Sequence, residues 1–81
     1  MERIDSLDYG QILKMSKPKG NVIYEFRRCE DPIMDNMLDV WRYDSNKKSK
    51  GKSSWVITKD LGKYFDLLIS EGYTEIKLET K

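Results

Sequence analysis

Lys47, Lys48, Lys50 and Lys52 fall within SNKKSKGKSSWVIT, residues 45–58, and no acidic residue separates them. Just upstream, LDVWRYD places Trp41 and Tyr43 two residues apart. A flexible cationic loop beside exposed rings can hold a phosphate backbone while bases stack on the aromatics. Each part also has a plain structural role. Lysine loops are commonly just solvated, and Trp41 or Trp55 could fill the core of a small domain. The direction in which Trp41 and Tyr43 point therefore decides what the lysines are worth.

Other chemistry is thin. The chain has no histidine, so the commonest general base and the commonest metal ligand are both missing. Cys29 is the sole cysteine and reads as a strand residue, since nothing nearby would activate it as a nucleophile. A single cysteine forms no disulfide within one chain, which fits a reducing compartment. There is no phosphate-binding glycine loop and no metal-spaced Cys or His set. Asp31 and Asp35 flank a turn, where Asp is expected to bond its own backbone. These features point to a non-enzymatic protein with no cofactor and no metal.

Eighty-one residues suit one domain, 1–81, with a core over about residues 11–79. A core this small is often supplemented by pairing with a second copy. The net charge is +1, unevenly spread: −2 over residues 1–13, +5 over residues 14–59 and −2 over residues 60–81. A local basic field is what a polyanion meets, even when the total is near neutral. No stretch approaches the roughly 18 apolar residues of a membrane span. The acidic N-terminus lacks the apolar core of a signal peptide, so the expected location is the cytoplasm.

The elements that would carry these residues are set by alternation. QILKMS and NVIYEFRRC flank KPKG, with Pro18 at the second turn position and Gly20 closing the turn. Pairing outward sets Met15 opposite Val22 and Leu13 opposite Tyr24. Phe26 joins that apolar face, and Lys14, Ile23, Glu25 and Arg27 take the other. A rival N-terminal helix capped by Ser6 is opposed by Gly10 and the nearby turn. Residues 30–36, EDPIMDN, break the pattern, since Pro32 cannot donate to a ladder. Residues 37–43 form the next strand, with Leu38 and Val40 on one side and Asp39, Trp41 and Tyr43 on the other. Residues 54–57 form a fourth strand, Trp55 and Ile57 sharing a side.

Thr58 suits an N-cap, with Asp60 in the first helical turn. The helix is expected to run to about Glu71, with Gly72 just beyond its end. Leu61, Tyr64, Phe65, Leu68 and Ile69 make the stripe that packs on the sheet, and Leu67 lies just outside it. Gly62 inside the helix costs roughly 1 kcal/mol relative to Ala unless it permits a close approach. Residues 73–79 alternate as a last edge strand would. The expected fold is α+β: a four-stranded antiparallel sheet followed by one helix, with room for a short C-terminal edge strand. One sheet face is covered and the other left open.

The string LDVWRYDSNKKSKGKSSWVITKDLGKYFDLL resembles the C-terminal domain of the positive-cofactor-four (p15) transcriptional coactivators and their bacterial relatives. The matching features are Leu38, Asp39 and Val40, then Lys50, Gly51 and Lys52, then residues 55–57, then the helix, within a span of about residues 11–71. Trp41 stands where that family usually has Arg, and Arg42 comes after it. The resemblance implies a homodimer whose sheet surface binds single-stranded DNA without strong sequence preference, in transcription or genome maintenance.

The expected function is thus a small binder of single-stranded nucleic acid, and a homodimer through the helix face. Its contact residues would be Lys14, Arg27, Trp41, Tyr43, Lys47, Lys48, Lys50 and Lys52. The alternative is a protein-interaction module, an adaptor or inhibitor of a larger machine, docking through the open face, an edge strand, or the turn around Ile33, Met34 and Met37.

Overall fold

The computed structural model describes residues 3–31, 33, 35–47 and 53–80. Five strands, β1 (Gln11–Ser16), β2 (Val22–Arg28), β3 (Met37–Asp44), β4 (Ser53–Ile57) and β5 (Glu75–Thr80), form one sheet in the order β4-β3-β2-β1-β5. Every neighbouring pair is antiparallel. A 3-10 turn, Thr58–Asp60, leads into helix α1 (Leu61–Ser70). The architecture is α+β, as the alternation predicts, and the C-terminal segment is a true edge strand on β1.

Period-two alternation fixes the faces. Leu13, Met15, Phe26, Leu38, Val40 and Val56 are buried under α1, where they meet Leu61, Phe65 and Leu68. Val22 and Tyr24 pack against this core from the margin. The core also reaches Leu7, which is buried, and Ile4, which packs against it. Arg28 ties this N-terminal segment down: its guanidinium donates to the Leu7 carbonyl at 3.4 Å and lies 4.5 Å from the centre of the Tyr9 ring. Residues 3–8 carry no regular structure, so the rival N-terminal helix is not formed.

The first hairpin keeps its predicted faces but not its predicted register. Met15 pairs with Tyr24 and Leu13 with Phe26, a displacement of two residues. The turn explains the shift. The Gly20 amide donates to the Lys17 carbonyl at 2.9 Å, with Pro18 in the second position. Lys19 takes the positive φ of 64° that the third position of a type II turn requires. Asn21 and Val22 then lie beyond the turn with no partner on β1, and pairing starts at Ser16 and Ile23.

The helix departs from expectation at its start. Thr58 opens the 3-10 turn, Asp60 occupies the α1 N-cap, and neither end-cap makes a side-chain hydrogen bond. The C-terminus behaves as predicted. The Tyr73 amide donates to Leu68 at 2.8 Å and the Gly72 amide to Ile69 at 3.0 Å, with Gly72 at φ +98°. This is a Schellman closure, in which only glycine takes the left-handed position without strain. Tyr73 and Leu68 are both buried, supplying the apolar contact that accompanies it.

Tyr64, expected in the packed stripe, is 43% exposed, and Leu67 is 51% exposed. The buried arc is centred instead on Leu61, Gly62, Phe65 and Leu68. Gly62 permits the close approach of Arg3: a Cβ there would lie 2.5 Å from the Arg3 guanidinium, which donates to the Gly62 carbonyl at 3.3 Å. The N-terminal segment thus occupies the helix flank that a larger residue would close.

Candidate nucleic-acid interface

Neither the helix nor the N-terminal segment covers the second face of the sheet, and the strand register arranges it in transverse rows. The first runs Glu79, Ile12, Arg27, Asp39, Trp55. The second runs Lys77, Lys14, Glu25, Trp41, and the third Glu75, Ser16, Ile23, Tyr43. Lys14, Arg27, Trp41 and Tyr43 are therefore brought together on one surface, as alternation predicts. Trp41 and Tyr43 are half-buried within it.

The polar centre of this face is Glu25. It is only 2% exposed although it lies on the uncovered side. Its carboxylate accepts from Arg27 Nη2 at 2.8 Å and from the Tyr43 hydroxyl at 3.0 Å. Burial, and then the Glu25 carboxylate beside it, push the Tyr43 phenol up to about 12. Arg27 also lies over Trp41, its guanidinium carbon 5.1 Å from the ring centre. Arg27 and Glu25 thus join the Trp41 ring and the Tyr43 hydroxyl in one charged, hydrogen-bonded cluster.

Charge on the face is mixed. Lys14, Arg27 and Lys77 stand against Glu25, Asp39, Glu75 and Glu79. Lys14 Nζ lies 3.4 Å from the Glu79 carboxylate, and Lys77 Nζ lies 3.9 Å from it. The cations that alternation brings to the face are hence already ion-paired. Lys47 is exposed in the β3–β4 connection, its amide bonded to the Asp44 carbonyl at 3.0 Å. Lys48, Lys50 and Lys52 lie outside the described residues.

Both tryptophans lie outside the core. Trp41 is half-buried on the open face, and Trp55 is 64% exposed at its margin. The cause is the β3–β4 register, which pairs Val56 with Leu38 on the inner side and so turns Trp55 outward beside Asp39. The shared side of Trp55 and Ile57 is legible in the sequence. What it lacks is the phase relative to Leu38, which would have added Trp55 to the candidate contact residues. Lys77 escapes notice for a similar reason, since its place depends on β5 pairing with β1. Cys29 lies one residue past β2, its amide still bonded to the Met37 carbonyl at 3.1 Å.

A half-open cleft of about 230 Å³ sits at one end of the face, lined by Gly10, Ile12, Arg27, Glu30, Asp39 and Trp41 among others. No family model, no curated protein and no solved structure matches the chain.

Proposed function

We propose that the chain is a small binder of single-stranded nucleic acid, DNA in the first instance, and that it works through the open sheet face in transcription or genome maintenance. The observation that carries this is the placement of Trp41, Tyr43 and Trp55 on one uncovered surface. Bases splayed from a single strand stack on such rings, and each stack contributes roughly 1–3 kcal/mol by alanine substitution. Trp55 is the open platform. Trp41 has Arg27 over its ring, so a base there stacks on the guanidinium plane instead. Backbone affinity comes chiefly from Lys47, Lys48, Lys50 and Lys52, because Lys14 and Arg27 already hold carboxylates.

A titration of a fluorescent thymidine oligonucleotide at about 50 mM salt tests this, since the electrostatic contribution is largest at low salt. Saturable binding, weakened roughly tenfold by Trp55→Ala, is expected. No binding by the wild-type chain would rule the proposal out.

Tyr64 and Leu67, exposed three residues apart on α1, are the surface through which a helix-face homodimer would form. Sedimentation tests it: Leu67→Glu should dissociate the dimer, and a wild-type monomer would refute it.

One observation favours a protein-interaction module as the second reading. The Thr58 amide donates to the Asn36 carbonyl at 2.8 Å, which sets the β3–β4 ladder so that Trp55 and Ile57 turn their backbone groups away from β3. The edge of β4 is thus open to strand addition, beside two exposed apolar side chains. Ile33, 88% exposed in the turn before β3, adds a further apolar contact. A partner retained after nuclease treatment and lost on Trp55→Ser would favour this module over the single-strand binder.

A further inference from the structure

We propose that Asp39 reads bases on the open face and selects guanine; this rests on that face being a single-strand surface. Asp39 stands in the transverse row between Arg27 and Trp55, and it lines the cleft that Trp41 and Glu30 also line. The ladder phase makes Asp39 and Trp55 a non-hydrogen-bonded pair, the kind whose side chains approach most closely.

The carboxylates on this face are not alike. Glu25 is held by Arg27 and Tyr43, and Glu79 by Lys14 and Lys77. Among the described residues, the carboxylate of Asp39, a half-buried residue, takes no hydrogen bond and no ion pair. A ligand that covers it must therefore donate to it, because a carboxylate removed from water without a donor is strongly disfavoured. A phosphate cannot do so.

Among the bases, guanine alone offers two adjacent donors, N1–H and the N2 amino group, at the spacing of the two carboxylate oxygens. Cytosine and adenine offer one amino group beside a bare ring acceptor. Thymine offers one N3–H flanked by two carbonyl oxygens, which a carboxylate repels. With its Watson–Crick edge on Asp39, the guanine ring lies beside the exposed face of Trp55. Two-bond base contacts of this kind discriminate by about tenfold or more.

The test compares a thymidine oligonucleotide of about a dozen residues, within the usual single-strand site size, with the same oligonucleotide carrying two isolated central guanines. Wild type should bind the guanine-bearing strand about tenfold more tightly. Asp39→Asn, nearly isosteric, swaps one acceptor for a donor and should abolish that preference while thymidine binding holds or tightens. Asp39→Ala should do the same, and a thermal melt of each variant shows that it is folded. Equal wild-type binding of both strands, or a preference that survives in both variants, overturns the inference while leaving the single-strand surface standing. Failure to bind either strand removes the surface and the inference together.

Discussion

Arg27 lies over the Trp41 ring, 5.1 Å from its centre, while the same guanidinium donates to the buried Glu25 carboxylate at 2.8 Å. One side chain thus covers an aromatic face and neutralises the most deeply buried charge in the sheet. Arg27 does not reach into solvent as a free phosphate contact. In the proposed interface its guanidinium, held by Glu25, is the surface on which a base would lie.

Removing Arg27 should therefore cost stability as well as binding. Arg27→Ala leaves Glu25 with the Tyr43 hydroxyl but without the guanidinium. Breaking a fully buried pair costs roughly 3–5 kcal/mol, and the partial exposure of Arg27 lowers this to about 2 kcal/mol. Arg27→Lys keeps the charge and loses the plane, so it should recover only part of that loss. Urea unfolding of the three proteins measures both effects.

Tyr43 should ionise late. Burial, and then the Glu25 carboxylate, push its folded phenol from the ordinary 10.0 up to about 12, so folding favours the neutral form. That contribution is complete below the unfolded value and is lost as pH rises through the folded one. Ultraviolet titration of tyrosinate should show a late component that Tyr43→Phe removes. A wild-type titration without it would place Tyr43 outside the Glu25 cluster.

The two helix glycines should respond oppositely. Gly72→Ala puts a Cβ on a residue at φ +98° and breaks the Schellman closure, a cost of about 1 kcal/mol or more. Gly62→Ala gains helix propensity and displaces the flexible Arg3 guanidinium, whose pair with Asp66 is exposed. Its net change should stay below about 1 kcal/mol, read as the shift in urea midpoint.

Much of this fold is legible in the sequence because period two and period 3.6 are local. The alternation of Leu13, Met15, Phe26, Leu38 and Val40 is enough to assign faces, and Gly72 marks the helix end. Register is not local. A hairpin displaced by two residues keeps every side chain on its face, so alternation alone does not choose between the two pairings. The same limit applies to the site. Lys14, Arg27, Trp41 and Tyr43 can be placed from parity alone. Trp55 and Lys77 depend on which residues of distant strands they meet. The packing of Arg3 at Gly62, a contact between residues 59 positions apart, is equally beyond local periodicity.

Replacing Lys47, Lys48, Lys50 and Lys52 with Ala should weaken binding to every strand alike and flatten its salt dependence. Replacing Lys14 should change the slope far less, because its ammonium already sits 3.4 Å from Glu79. Affinity measured over a salt series separates the two. An unaltered slope after the fourfold change would remove the loop from the interface.

The most direct measurement is a map of backbone and indole N–H resonances during addition of a thymidine oligonucleotide. Binding through the open face predicts the largest shifts at Ile12, Lys14, Arg27, Asp39, Trp41, Tyr43 and Trp55, with both indole signals moving together. Shifts confined to α1 or to the turn around Ile33, or a spectrum unchanged at saturating oligonucleotide, would contradict it.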